Sequence, residues 1–182
     1  MTETLSGDKQ EPLSFVFVVR DEQRLIAGFE KAHWRLADMV SVASIFNLVK
    51  ALATESEYPT APMTPSFWNA KVHDLGFEKS VNSSSPKIRH HLRVWKTNIE
   101  TDDGGKVFVG TASFDSGSKW GLVHRIDANI DKEREVLFDD LQSNGEIDRF
   151  SKELFVDPMY GTNFLGDPFF TDGKVYLIFL KR

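Results

Sequence analysis

The residues best suited to chemistry lie in the stretch IRHHLRVWKTN. Two adjacent histidines, His90 and His91, stand there between two arginines, Arg89 and Arg93, in a run that is otherwise typical of a β-strand. Successive side chains of a strand point to opposite faces of its sheet. His91 therefore shares one face with both arginines. His90 shares the other face with apolar Leu92, so we expect His90 to be a structural residue of the core.

The face of His91 suits the binding of an anion. Arginine guanidinium groups match the paired oxygens of phosphate and carboxylate groups. A second strand, KVFVGTASFD, follows and contributes hydroxyl and carboxyl side chains to the same face. We call the resulting set the arginine row, and we predict that it binds a ligand through Arg89, His91, Arg93, Ser113 and Asp115. The alternative is that this row is only the solvated face of a half-exposed sheet.

The connection ETDDGG between these two strands predicts a β-hairpin. A three-residue turn with Gly104 in the left-handed conformation would place Arg93 opposite Ser113 and His91 opposite Asp115. A slip of one residue would instead set the arginines against the phenylalanines of the partner strand. The turn chemistry and the polarity pattern therefore predict the same register.

The later stretch GLVHRIDANID adds His124, Asp127 and Asp131. An H-x-x-D spacing is a weak motif, and Asp131 is the expected N-cap of the following helix. The alternative function is a phosphoester hydrolase, with His91 or His124 as acid/base and Asp115 or Asp127 as the orienting carboxylate. The same four residues offer nitrogen and oxygen ligands for a metal, but their spacing requires none. The sequence implies no cofactor.

Composition and missing motifs narrow the classes of function. The sequence contains no Walker loop, no G-x-S-x-G elbow, no H-E-x-x-H and no G-x-G-x-x-G. A formal net charge of −5 argues against nucleic acid as a partner, and the absence of cysteine excludes disulfides. No run approaches the roughly 18 apolar residues that span a bilayer. These patterns favour a cytoplasmic binding domain over a catalyst.

The elements that hold these residues predict an α+β fold with a largely antiparallel sheet covered by helices. The nearest simple architecture is a ferredoxin-like βαββαβ core with additions. We expect residues 1–14 to form a disordered tail and residues 15–182 to form one domain. The predicted elements are a strand at Phe15–Val19, helical stripes over Leu25–Ala32 and Val42–Leu52, the hairpin, a helix from Asp131 to Gly145, and strands near Phe150–Val156 and Val175–Leu180.

Several longer stretches resemble, in the same order, the LssY C-terminal-like family. They include AHWRLAD, YPTAPMTPSFW, DLGFEKSV, RHHLRVWKT, VGTASFD, HRIDANIDKERE and FTDGKVYLI. The resemblance covers roughly residues 25 to 180 and implies a mostly bacterial family found alone or attached to membrane modules of the DedA and PAP2 types. It implies a membrane-associated context, which allows a location peripheral to the membrane and adds a membrane-associated protein to the anionic small molecule that the arginine row predicts as partner. It carries over no catalytic residue.

Overall fold

The computed structural model describes the chain except residues 5, 39–45, 48–49, 52–53, 55–57, 59, 61–62, 82–88, 120–122 and 164–165, and except the side chains of 115–119 and 123–126. The helices of the described part are α1 (Glu22–Lys31) and α2 (Ile130–Ser143). The helix predicted over Val42–Leu52 lies largely outside the described residues. The strands are β1 (Phe15–Val19), β2 (Arg35–Leu36), β3 (Phe67–Trp68), β4 (Lys71–Val72), β5 (Leu75–Ser80), β6 (Arg89–Glu100), β7 (Lys106–Lys119), β8 (Val123–Ile126), β9 (Ile147–Leu154), β10 (Met159–Thr162), β11 (Pro168–Thr171) and β12 (Lys174–Leu180).

The main sheet has the strand order β2-β5-β6-β7-β1-β12-β9, and β8 pairs with the far end of β7. Strand β1 lies inside it, antiparallel to β7 and parallel to β12. The run FVFVV is apolar at every position, which is typical of a strand that is covered on both faces. Phe15 and Phe17 are fully buried, as this pattern predicts.

The predicted α+β class is confirmed, whereas the ferredoxin-like core is present only in part. The segment order β1-α1-β6-β7-α2 and the adjacency of β6, β7 and β1 follow that architecture. In a ferredoxin-like sheet the last strand lies directly beside the first and antiparallel to it. Here β12 is inserted between β1 and β9 and is parallel to β1. The strand after α2 is thereby displaced to the sheet edge.

Both helices cover the same face of the sheet. Leu25 and Phe29 of α1 and Leu137 of α2 belong to one buried cluster with Leu92 and Val94 of β6. This arrangement confirms the apolar face that strand alternation predicts for β6. Truncation of a leucine in such a site costs about 2–5 kcal/mol, so this face provides a large share of the stability.

The starts of the two helices follow local capping rules, with one correction. Asp21 caps α1 as predicted, because its carboxylate accepts a hydrogen bond from the backbone N–H of Arg24 at 2.8 Å. The N-cap of α2 is Asn129, which accepts from the backbone N–H of Lys132 at 3.1 Å. The predicted cap Asp131 lies in the first turn instead. Its carboxylate accepts from a distant strand connection, a contact that local sequence cannot indicate.

Chain segments outside the two helices contact the opposite face of the sheet, which we call the second face. Residues 1–4 and 6–14 belong to the segment that the sequence predicts to be a disordered tail, but they lie across this face. The backbone of Glu3 exchanges two hydrogen bonds of 2.7 Å with Phe67 of the small β3–β4 hairpin. Leu13 is buried against Trp95 and Val109. The second face therefore has a small apolar core of its own.

Candidate functional site

The hairpin that carries the arginine row closes with the predicted turn. Gly104 adopts a φ of 80°, and next to the turn Glu100 pairs with Lys106, as the predicted register requires. Between Lys96 and Glu100, however, the pairing shifts. Three residues of β6 there oppose one of β7, which is a β-bulge.

The bulge displaces the rest of the hairpin by two residues, so the predicted pairs of the arginine row are wrong. His91 lies opposite Ser113 rather than Asp115, and Asp115 lies opposite Arg89. A shift of two residues does not exchange the faces of a strand. The row therefore stays on one face, as predicted. Its observed pairs are Arg89–Asp115, His91–Ser113 and Arg93–Thr111.

The inner end of the arginine row is a buried ion-pair cluster. Glu78 of β5 accepts a hydrogen bond from Nη1 of Arg89, and its other oxygen lies 3.5 Å from Nδ1 of His91. Arg89 is only 4% exposed, Glu78 3% and His91 8%. Nε of Arg89 is also buried, and it has no hydrogen-bond partner in the described part of the chain. The expectation of a solvated row does not hold at this end.

Sequence reasoning missed Glu78 because it missed β5. LGFEKS is a short run in which one glycine and two charges interrupt the apolar alternation. Its edge partner β2 has only two residues, so neither strand gives a strong local signal. The available sequence signal was Glu78 itself, an acidic residue about ten positions before Arg89, which a neighbouring strand would bring beside the arginine row.

The outer end of the row is Arg93, which is half-buried. Its Nε donates to the carbonyl oxygen of Thr64 at 3.2 Å. Nearby, Nδ1 of His73 accepts from the backbone N–H of Ser66 at 3.4 Å. Burial, together with the positive charge of Arg93, lowers the pKa of His73 to about 4. His73 is therefore neutral at pH 7, and Arg93 carries the positive charge at the rim of the second face.

His90 lies on the helix-covered face, as predicted. Its Nδ1 is 2.7 Å from a carboxylate oxygen of Glu133 in the first turn of α2. Its ring packs against Phe114, with centroids 4.8 Å apart. Burial raises the pKa of Glu133, and the hydrogen bond with His90 acts against that rise. This pair ties β6 to α2 and leaves His90 with a structural role.

The strand register keeps the two candidate acid/base histidines, His91 and His124, apart. Asp127 is a turn residue whose carboxylate accepts from the backbone N–H of Asn129 at 2.9 Å. His124 pairs with Ser118, five residues beyond Ser113, the partner of His91. That separation is roughly 16 Å along the strand. Asp115 of β7 pairs with both Arg89 of β6 and Ile126 of β8, so β6 and β8 lie on opposite sides of β7. The side chains of Asp115 and His124 are outside the described part.

A second buried arginine, which the sequence pattern did not single out, fastens α2 to the sheet. Arg134 is 1% exposed and donates to Asp172 at 2.7 Å and to the carbonyl oxygen of Lys174 at 2.6 Å. It also pairs with Glu135, which in turn accepts from the hydroxyl of Tyr176 at 2.7 Å. The contacts within this network fix the helix against β12, so we assign it to the structure of the fold.

These features define an α+β domain with a helix-covered face and a second face crossed by a buried Arg–Glu–His cluster. The chain matches the family described as LssY C-terminus over residues 1–175, and it belongs to that family. No curated protein and no solved structure matches it. Neither helix of the described part is both long and apolar enough to cross a membrane.

Proposed function

We propose that this chain is a binding domain for a small anionic ligand, held at the arginine row of the second face. The observation that carries the proposal is the buried Nε of Arg89, which has no hydrogen-bond partner among the described residues. A buried polar group without a partner costs about 1–3 kcal/mol. An anionic oxygen placed there would recover that cost and would add attraction to the guanidinium charge.

The position of Arg93 adds a second contact for the same ligand. Arg89 and Arg93 are four residues apart on β6 and share a face, so their backbones lie about 13 Å apart. A ligand that contacts both guanidinium groups must therefore extend along the row. Arg93 is the half-buried member of the row, while Arg89 is buried. The ligand would therefore enter beside Arg93 and extend inward toward Arg89.

The hydrolase alternative has weaker support. It needs His91 and His124 in one cleft, whereas the strand register separates their backbones by five residues of β7. A binding role needs only the two arginines of a single strand. We therefore propose binding, with phosphate or carboxylate as the ligand chemistry.

The test is a titration with inorganic phosphate and with citrate, followed by calorimetry and by thermal shift. The wild-type chain should bind one of them, and added salt should weaken binding because the outer charge is screened. Arg93→Ala should weaken binding about tenfold or more, with little change in melting temperature. Lys96→Ala is the matched control, because it removes an exposed positive charge from the same strand and the opposite face.

A different outcome would assign the row to structure. If Arg93→Ala lowers the melting temperature sharply and neither anion binds the wild-type chain, then Arg93 stabilises the second face and the proposal fails. Arg149 is an exposed residue of β9, on the opposite side of the sheet order from β6. Arg149→Ala should therefore leave binding at the row unchanged.

A further inference from the structure

We propose that a groove at the carboxyl ends of β1 and β12 is a second site, which binds a small molecule bearing a phosphate or diphosphate group. The groove has a volume of about 480 Å³, within the range typical of small-molecule sites. It lies between the ends of β1 and β12, the start of β9 and the β6–β7 turn. It is lined by Val18, Arg20, Asp103, Gly104, Gly105, Asp148, Arg149, Phe179, Leu180, Lys181 and Arg182.

The topology of the sheet explains why a groove forms at this point. Strands β1 and β12 are parallel neighbours, so their carboxyl ends lie side by side at the same end of the sheet. After β1 the chain turns toward the helix-covered face and enters α1. Phe17 and Ile178 lie in the helix-side core. Their neighbours Val18 and Phe179 therefore point to the second face. Ligands of open α/β sheets bind in crevices at the carboxyl ends of parallel strands.

The charge of the groove is opposite to that of the whole chain. Four cationic side chains and two carboxylates line it, while the chain has a formal net charge of −5. Within the lining, the carboxylate of Asp103 lies 2.9 Å from Nη2 of Arg182. Nε of Arg20 lies 2.6 Å from the carboxylate of Asp21, a residue that does not line the groove. A positive surplus in a concave site concentrates field and attracts an anion.

Arg149 is the residue that points most directly to a ligand. Its guanidinium carbon lies 3.9 Å from the ring centroid of Phe179, a stacked position that fixes the plane of the group. Within the described part of the chain, no carboxylate pairs with Arg149 and no acceptor receives its N–H groups. The ring therefore orients the guanidinium while its in-plane donors stay available. Such a fork matches two oxygens of a phosphate.

Phosphate chemistry has two sources that the groove alone does not separate, a dissolved phosphorylated molecule and a phospholipid headgroup. We therefore use pyrophosphate and vesicles as separate probes. The wild-type chain should bind pyrophosphate by calorimetry, and Arg149→Ala should weaken that binding about tenfold or more. Arg149→Lys keeps the charge but loses the fork, so it should restore binding only in part.

Two controls locate the effect. Arg35→Ala removes an exposed charge at the far edge of the sheet and should bind pyrophosphate as the wild-type chain does. Arg93→Ala should retain the Arg149-dependent component of binding, because the groove is separate from the arginine row. If Arg149→Ala loses its fold, Arg20→Ala replaces it, since that side chain is 65% exposed.

Co-sedimentation with vesicles of anionic phospholipid then identifies the source. Sedimentation that is lost in Arg149→Ala assigns the groove to a headgroup, whereas pyrophosphate binding without sedimentation assigns it to a dissolved ligand. The proposal is overturned if the wild-type chain binds neither probe, or if the Arg149 and Arg20 variants bind pyrophosphate as tightly as the wild-type chain.

Discussion

At the scale of single residues, the surroundings of the histidines determine their roles. His90 pairs with a carboxylate on the helix side, and His91 lies beside Glu78 on the second face. Among the described residues no carboxylate pairs with the ring of His73, and its Nδ1 accepts a hydrogen bond from the backbone N–H of Ser66. Burial and the charge of Arg93 both oppose its protonation. Its neutral form is therefore built into the folded state.

The lowered pKa of His73 predicts a loss of stability in acid. The folded pKa is about 4, against 6.5 for the free side chain, so between these values the unfolded state binds more protons. Stability from this residue is therefore present above pH 6.5 and falls as the pH decreases toward 4. We expect the wild-type chain to lose about 2–3 kcal/mol relative to His73→Asn over that window. Urea unfolding at several pH values measures it, and parallel curves for the two proteins would contradict it.

The faces of the arginine row were predictable, and its environment was not. Alternation along a strand depends on adjacent residues only, so His90 and His91 could be separated from sequence alone. The burial of Arg89 depends on Glu78, on a strand that sequence did not predict. The outer part of the row is covered by distant chain, because Arg93 donates to the carbonyl oxygen of Thr64 and Thr111 donates to that of Pro12. Such long-range contacts leave no local pattern.

At the scale of elements, the strongly periodic segments were predicted and the short ones were missed. The predictions of β1 and α1 follow from a continuous apolar run and from a capped amphipathic stripe. The segment DPMYGTNFLGDPFFTDG has the glycine and proline content of a loop, yet it contains the hairpin of β10 and β11. Each of those strands has four residues and pairs only with the other among the described strands. Glycine and proline there mark the turns around the strands and hide the strands themselves.

The connection between β11 and β12 should be the least tolerant turn of the described chain. Gly173 has a φ of 74°, and a Cβ atom there would lie 1.9 Å from the backbone oxygen of Val156. Gly104 has a similar φ of 80° with open space around it. Gly104→Ala should therefore cost about 1–2 kcal/mol from conformation alone. Gly173→Ala should lower the free energy of unfolding by more than about 3 kcal/mol, because the backbone at Val156 must also move.

Chemical denaturation of the two glycine variants measures this difference directly. Both substitutions impose the same left-handed strain, so the excess at Gly173 isolates the clash. Equal losses of unfolding free energy would show that the turn at Gly173 can move away from Val156 without cost.

At the scale of the whole molecule, the first residues of the chain complete the second face. The hydroxyl of Thr111 on β7 donates to the carbonyl oxygen of Pro12 at 2.9 Å. Thr2 is fully buried, and its hydroxyl donates to the carbonyl oxygen of Glu11 at 2.8 Å. The match to the family also begins at residue 1. The polar composition of this segment predicts disorder, but backbone hydrogen bonds hold it in place.

Deletion of residues 2–13 should therefore destabilise the protein, whereas loss of a disordered tail would be neutral. The deletion exposes Trp95 and Val109, and removing their cover should cost at least about 2 kcal/mol. Leu13→Ala is the milder companion variant, and it should lower stability by a part of that amount. Thermal and urea unfolding measure both, and an unchanged midpoint for the deletion would rule out the covering role.

The bulge in β6 gives the hairpin spare length. Thr97, Asn98 and Ile99 of β6 lie opposite the single residue Val107. Removal of two of the three would restore regular pairing and leave every side chain from Arg89 to Trp95 on its present face. Removal of one would leave two residues opposite Val107, which is the usual form of a β-bulge, so the pairs on both sides would also persist. The regularly paired part of β6 has no spare residue, and a single deletion there would exchange the two faces of the residues on one side of it.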